Sequence, residues 1–269
     1  MGERRAIFIT GGGSGIGREV AIYFGKRGWF VGIGDVNEQG MEETLALIPG
    51  GFKYAHKLDV RDRAAWDAAL NAFSTAAGGR IDAVFNNAGI GHGGPISEQP
   101  VGEIEALLDV NVKGVLFGAQ AAYAHLKKTA PGSALVNTAS LAGIIGAPNM
   151  SVYCATKWAV RGMTRSLDAE WAADGIKVSA LCPGFIDTPL IEQTRPESNQ
   201  SVKESLVEAG VEVSPVSDVS KVVWDAVHGD KLDYTVGKMA SRLLFLSRFL
   251  PGRVRKEMRA QGIGIGVEG

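Results

Sequence analysis

The chain has 269 residues, 45% hydrophobic and 21% charged, with a net charge of −1 from 28 basic and 29 acidic side chains. That is enough for one large core, and the even charge excludes a global field toward nucleic acid or an acidic membrane, leaving a small uncharged partner as the expectation. Cys154 and Cys182 make no C-x-x-C pair, and His56, His92, His125 and His228 lack ligand spacing, so reduced thiols and no metal are expected. The polar first residues lead directly into a strand-like run, with no charged-then-apolar leader and no apolar stretch of membrane-spanning length, so a cytoplasmic location is expected.

In chain order, short apolar runs at 6–10, 30–35, 52–58, 81–86, 134–138, 177–182 and 234–236 alternate with amphipathic stretches. Runs this short and apolar suit parallel strands covered on both faces. Val219, Val222, Val223, Ala226 and Val227 gather on one face of a helix between two of them. No linker, repeat or shift in composition divides the chain. The pattern predicts an α/β, doubly wound parallel sheet of one domain, with ligands beyond the carboxyl ends of its strands.

The first run ends in Thr10, Gly11, Gly12, Gly13, Ser14, Gly15, Ile16 and Gly17, then enters a helix with Val20, Ala21 and Phe24 on its apolar side. Glycines let the backbone approach a pyrophosphate, and the helix N-terminus favours its charge. A lone glycine-rich turn is a weak signal. The second run, however, ends at Asp35, where a carboxylate can accept hydrogen bonds from ribose hydroxyls. Asp35 would repel a 2′-phosphate, and Ser14, Val36 and Asn37 offer no compensating charge, so NAD is expected over NADP.

Farther on, Asn86, Asn87, Ala88 and Gly89 follow a strand, Ser140 follows another, and Tyr153 and Lys157 lie one turn apart on a helical stretch running to about Trp171. A phenol needs its pKa lowered by about three units, about 4 kcal/mol, to act as a base near neutral pH, and an adjacent ammonium with an oxidised nicotinamide could supply it. Tyr153 is then the candidate acid/base, and Ser140 the group that steadies the substrate oxygen. Singly, each has a plain reading as an amphipathic tyrosine, a solvated lysine and a turn serine. Their order behind a dinucleotide fingerprint is what argues for chemistry.

Together, T-G-x-x-x-G-I-G at 10–17, N-N-A-G at 86–89, Y-x-x-x-K at 153–157 and Pro183-Gly184 resemble the classical short-chain dehydrogenase/reductase family over roughly the first 190 residues. The resemblance implies a Rossmann fold, an Asn111–Ser140–Tyr153–Lys157 tetrad, and an Asn111-held water linking Lys157 to solvent. It places Gly11, Ser14, Gly15, Ile16, Gly17, Asp35, Asn87, Ala88, Gly89, Pro183, Gly184 and Ile186 around the cofactor. Asp59 and Val60 would meet adenine, Lys157 also the nicotinamide ribose, and Thr188 the carboxamide. It implies a helical substrate lid over about 189–213, and a homodimer or homotetramer built through the tyrosine helix, where Trp158, Val160, Met163 and Leu167 supply apolar bulk.

The function expected is hydride transfer between NAD and an alcohol or ketone. Leu141, Ala142, Phe185, Ile186, Leu190 and Ile191 suggest an apolar secondary one. The alternatives are an NADPH-linked ketone reductase of the same fold, or a non-catalytic dinucleotide-binding protein. His92 reads as a loop histidine sooner than as a substrate contact, and both cysteines as small buried residues. The dehydrogenase domain is taken as 1–237 and a C-terminal helical extension as 238–269. In the extension, Lys238, Arg242, Arg248, Arg253, Arg255, Lys256 and Arg259 face a single acid, Glu257, up to residue 259. Met239, Leu243, Leu246 and Leu250 form a helical stripe expected to pack on the protein in preference to lying on an anionic membrane, with a break at Pro251-Gly252.

Overall fold

Alternation along the strands decides the architecture. Ala6 and Phe8 of the first strand enter one core with Val84, Leu135 and Val178, whereas Ile7 and Ile9 enter another with Val31, Ile33, Phe85 and Val136. A sheet with both faces buried must be covered by helices on both sides, which parallel crossover connections provide.

The computed structural model describes residues 4–192 and 201–261. In chain order the elements are β1 (Ala6–Thr10), α1 (Gly15–Gly25), β2 (Phe30–Asp35), α2 (Glu38–Leu47), β3 (Lys53–Lys57), α3 (Arg63–Ala76), β4 (Ala83–Asn86), α4 (Val101–Leu108), α5 (Gly114–Thr129), β5 (Ala134–Thr138) and α6 (Ser151–Trp171). There follow β6 (Lys177–Pro183), β7 (Phe185–Ile186), α7 (Val202–Glu208), β8 (Val213–Ser214), α8 (Val216–His228), β9 (Asp233–Val236), α9 (Lys238–Phe249) and α10 (Pro251–Gln261). Seven strands form one parallel sheet in the order β3-β2-β1-β4-β5-β6-β9. This is the doubly wound Rossmann arrangement. Its order reverses between β1 and β4, so the loops leaving those two strands flank the switch point where such sheets hold ligands.

Helices α1, α2 and α8 cover one face, and α3 and α5 the other. Local chemistry starts α3: the Asp62 carboxylate accepts the Ala64 and Ala65 N–H groups. Trp66, Ala69, Leu70 and Phe73 then recur at helical spacing and are all buried. Between α4 and α5 the helix does not stop but passes through a π-helical turn, Asp109–Lys113.

Two features differ from the sequence expectation. A second, two-stranded parallel sheet pairs β7 with β8 and gathers the base of the segment expected to form a lid; Lys203 closes the same base through its N–H to Ile191 O at 2.9 Å and its ammonium to Asp187 at 2.6 Å. The middle of that segment, 193–200, and the end of the extension, 262–269, lie outside the described residues. The extension itself has two helices, because Pro251 opens α10 at a first-turn position where its missing N–H costs nothing. Ala240, Leu243 and Leu246 of α9 and Val254 of α10 are buried against Ile144, Ile145 and Val160, whereas Leu250, expected in the packing stripe, is 47% exposed.

Gly118 tests how tightly α5 seats. A Cβ there would lie 2.7 Å from two indole carbons of Trp66 and against Asn86 Oδ1. Helix propensity alone favours Gly118→Ala by about 1 kcal/mol, but overpacking costs about 1–3 kcal/mol. Net destabilisation is therefore expected in urea unfolding, and a more stable variant would show that α5 can move off Trp66.

Candidate active site

The glycine loop after β1 is shaped by contacts no side chain would permit. A Cβ on Gly17 would collide with the Gly11 carbonyl, and one on Gly11 would sit 2.9 Å from Asn87 Nδ2; Gly11 also has φ +68°, where glycine carries no steric penalty. Ser14 caps α1 in extended conformation without a side-chain hydrogen bond to the helix, so the cradle at this N-terminus is lined by backbone. Asp35 is aimed by two backbone donors, Gly13 N–H to Oδ2 at 2.9 Å and Asn37 N–H to Oδ1 at 3.0 Å. A glycine cradle beside a fixed carboxylate fits a dinucleotide's pyrophosphate and ribose.

Thr10, which the sequence marks only as the head of the glycine motif, and Arg18, which it does not mark at all, organise this end. The buried Thr10 hydroxyl accepts the N–H groups of Asn87 and Ala88 at 3.0 and 3.1 Å, and the Asn87 amide donates back to the Thr10 carbonyl at 2.9 Å. These bonds tie the two loops of the switch point together. Arg18 reaches Gly13 O, Gly40 O, Thr44 and Glu43, so a cation does approach the loop, with its donors already engaged. Arg18 lies on α1, a full turn past Ser14, and only the packing of α1 against the loop and α2 brings it there, so its position is not visible beside Ser14 or Asp35 in the sequence.

Asn111 sits in the π-helical turn, fully buried, and clamps the chain just past Gly89: its Oδ1 accepts Ile90 N–H and its Nδ2 donates to Ile90 O, both at 2.9 Å. Its Nδ2 also lies 3.3 Å from the Thr156 hydroxyl on α6. Gly89 permits this convergence, since a Cβ there would stand 3.2 Å from Asn111 Oδ1 and 3.5 Å from Lys157 Nζ.

Ser140, Tyr153 and Lys157 are brought together by the turn after β5 and by α6. Ser140 heads a short 3₁₀ turn, Leu141–Gly143, and its hydroxyl accepts the Ala142 N–H at 3.1 Å. Lys157 is buried, donates to Thr138 O at 3.0 Å, and places Nζ 5.5 Å from the centre of the Tyr153 ring. Burial pushes Tyr153 up to about 12, against the pull of a hydrogen bond with Ser140, and pushes Lys157 down to about 8. Bringing the phenol from there to neutral pH asks for about 7 kcal/mol, more than the sequence-based figure, because burial adds to the intrinsic value.

The remaining expected residues divide. Thr188 does reach the glycine loop, its side chain standing 3.5 Å from where a Gly15 Cβ would be. Pro183 ends β6, and Gly184 donates its N–H to Val236 O at 3.0 Å. The Asp59 carboxylate is held by Arg61 Nε at 2.9 and 3.1 Å, and this pairing keeps it below the usual carboxylate range. Val60 is buried against Gly114, and its carbonyl takes the Trp66 indole N–H. Of the expected apolar pocket, Ile186 belongs to the sheet core and Phe185 packs on a second cluster, whereas Leu190 reaches over Gly91 at 3.3 Å from a would-be Cβ. His92 has its own neighbour, Glu103, at 3.9 Å. Both cysteines are free and buried, and burial drives Cys182 up to about 12 and raises Cys154, as for unreactive thiols.

The short chain dehydrogenase family profile matches residues 5–199. Levodione reductase of Leifsonia aquatica is 34% identical over 216 residues, covering 78% of this chain and 80% of its own. The (S)-acetoin-forming diacetyl reductase of Staphylococcus aureus is 35% identical over 251 residues, covering 88% of this chain and 96% of its own. Among solved structures, a levodione reductase superposes with TM-score 0.80 at 30% identity, covering 88% of this chain and 98% of that one. The 3-ketoacyl-(acyl-carrier-protein) reductase of Brucella melitensis, complexed with NADH, does so with TM-score 0.77 at 28%, covering 87% and 97%.

The depressed Lys157 value carries a pH signature. Between about 8 and 10.5 an unfolded chain keeps the lysine proton that the folded protein releases, so stability rises with pH across that window. Compared with Lys157→Met, which has no proton to lose, the wild-type protein should gain stability from pH 8 to 10.5 in paired urea titrations. Parallel pH curves for the two proteins would mean that Lys157 keeps an ordinary value when folded.

Proposed function

The chain belongs to the short-chain dehydrogenase family, and from that premise we propose that it is an NAD-dependent enzyme interconverting an apolar secondary alcohol and its ketone. The observation that carries this reading is the convergence of Ser140, Tyr153 and Lys157 on one end of α6, beside a glycine cradle closed by Asp35. The relatives are named for reductions of levodione and diacetyl, which supports a small ketone as the substrate class. A bound nicotinamide supplies the hydride donor or acceptor. Gly11, Ser14, Gly15, Ile16 and Gly17 would hold its pyrophosphate, Asp35 the adenosine ribose, and Lys157 the nicotinamide ribose.

The protein's own work is proton transfer and orientation. Ser140 donates a hydrogen bond to the substrate oxygen, and Tyr153 Oη gives that oxygen a proton in reduction or removes one in oxidation. Lys157, with a value near 8, remains mostly charged at neutral pH, and its ammonium stabilises the phenolate. An oxidised nicotinamide bound beside the phenol would add positive charge that favours its ionised form. Asn111 anchors the loop beneath and would hold the water through which Lys157 exchanges protons with solvent. Free, buried thiols fit a reducing, cytoplasmic setting.

Tyr153→Phe keeps the ring and loses the transferable proton, so turnover should fall by about 10²–10⁴ while NADH titration by fluorescence stays near wild type. Substantial residual turnover would assign the acid/base elsewhere.

NADP use has one observation in its favour, the Arg18 guanidinium at the cradle, but that group is already claimed by Gly13 O, Gly40 O and Glu43. NAD should therefore exceed NADP by at least about tenfold in kcat/KM, roughly 1.4 kcal/mol; equal use would place Arg18 on the 2′-phosphate.

A homo-oligomer is also proposed, through fewer residues than the sequence suggested. Val160 is buried within its own subunit and Met163 and Leu167 are partly so, leaving Trp158, 50% exposed, with Leu108 and Leu116 on the adjoining helices. Light scattering at micromolar concentration should give a multiple of 28.4 kDa, and Trp158→Glu should lower it; a monomeric wild-type mass removes the proposal.

A further inference from the structure

Charge along this chain is divided in a way its net value conceals. Residues 1–237 hold 21 basic and 27 acidic side chains, whereas residues 238–261 hold seven basic and one acidic. The structure then separates the two faces of α9. Ala240, Leu243 and Leu246 are buried against the domain. At 100° per residue, Lys238, Arg242, Phe245 and Phe249 fall within an arc of about 60° on the outward side. Phe245 and Phe249 are 60% and 59% exposed with ring centroids 4.8 Å apart, and Leu250 continues the apolar edge.

The cations around that edge are exposed and largely unneutralised. Glu257 is taken by Arg242 and Arg253 at 3.0 and 3.1 Å. Among the described residues, Lys238, Arg248, Arg255, Lys256 and Arg259 make no ion pair. Between α9 and α10 an open cleft of about 520 Å³ is lined by Arg242, Arg253, Lys256, Glu257 and Ala260, room for a phosphate-bearing headgroup.

We propose that α9 and α10 form a peripheral docking surface for an anionic phospholipid bilayer. Phe245, Phe249 and Leu250 enter the headgroup boundary, and the flanking lysines and arginines meet lipid phosphates. The partner is a bilayer because the face joins two features that such a surface rewards together, exposed aromatic rings and a positive field in which Glu257 is held by Arg242 and Arg253, and Glu212 by the first N–H groups of α9. A second copy meeting this face across a two-fold axis would bring like charges opposite each other. No helix among the described residues is long and apolar enough to cross a membrane, so the attachment is to the surface. It also adjoins the substrate lid: Glu212, just before β8, accepts the N–H groups of Lys238 and Met239 at the start of α9. On the proposed function, an apolar substrate dissolved in the bilayer would thus be met next to the base of the expected lid.

The test is co-sedimentation of the full-length protein with vesicles of phosphatidylcholine containing about one-third phosphatidylglycerol, against vesicles of phosphatidylcholine alone. Binding should be at least about tenfold stronger to the anionic vesicles and should fall as salt rises from about 0.05 to about 0.5 M. Phe245→Ser with Phe249→Ser, and separately Arg255→Glu with Lys256→Glu and Arg259→Glu, should each weaken it about tenfold or more, with thermal unfolding and NADH binding unchanged. Failure to sediment, or sedimentation indifferent to lipid charge and to both sets of substitutions, would overturn the proposal. So would a lipid-free oligomer that the phenylalanine substitutions dissociate, since the face would then join copies of the chain. The readout needs no substrate, so a negative result leaves the dehydrogenase reading standing.

Discussion

The contact on which the rest of the site depends is between a glycine and a backbone carbonyl. A Cβ at Gly143 would stand 2.7 Å from Lys157 O, closer than carbon and oxygen approach, so only glycine lets the Ser140 turn lie flat on α6. That approach puts the Ser140 hydroxyl on the Tyr153 phenol, and it leaves Lys157 able to reach Thr138 O in the strand the turn has just left. One turn farther along α6, Arg161 donates to Gly143 O and to Asp233 at the start of β9, with Arg165 on the same carboxylate. Burial alone would raise the Asp233 value; the two guanidinium groups outweigh it and hold the group charged. The helix is thus pinned to the turn above it and to the last strand beside it.

A second set of bonds holds the two halves of the sheet in register at the cofactor end. Thr10 fastens the glycine loop to the turn after β4. Below it, Asn86 donates to Asn137 at 2.9 Å across the β4–β5 pair, and Asn137 donates to Thr164 of α6 at 3.1 Å. Buried polar groups of this kind are costly when unpaired and directional when paired, so the relay specifies one alignment where apolar packing would tolerate several. In this way the strands that carry the cofactor cradle and the helix that carries the tyrosine share one reference frame.

Much of this could be read from residues in a row. Strands 6–10, 30–35 and 134–138 were legible to the residue because a buried parallel strand is an unbroken apolar run ended by a turn. The tyrosine–lysine helix was legible because spacing by four is itself geometry. What escaped were arrangements made by distant segments. Arg18 at the cradle, the β7–β8 pair at the base of the lid, and Val160 pointing inward each depend on what packs against them. The extension was read as one helical stripe ending at a break because a proline that starts a helix and one that stops it look alike in a sequence. Leu250, at that junction, was therefore assigned to the wrong side.

The π-helical turn at Asp109–Lys113 has a consequence for how this protein can change. A π turn is an α-helix carrying one residue too many, and such turns persist where the surplus is used. Here the surplus sits at Asn111, whose amide grips both backbone groups of Ile90. Losing one residue anywhere in that turn would restore an ordinary helix, and α4 would shift by about 1.5 Å and rotate by about 100° relative to α5. Gly118 must still nest on Trp66, and Gly114 on Val60, so α5 could not follow and the register error would fall on the Asn111 clamp. A single-residue deletion in that turn therefore removes a working part of the site even where Asn111, Gly114 and Gly118 are all kept, so the length of this helix is as demanding an inheritance as those three residues.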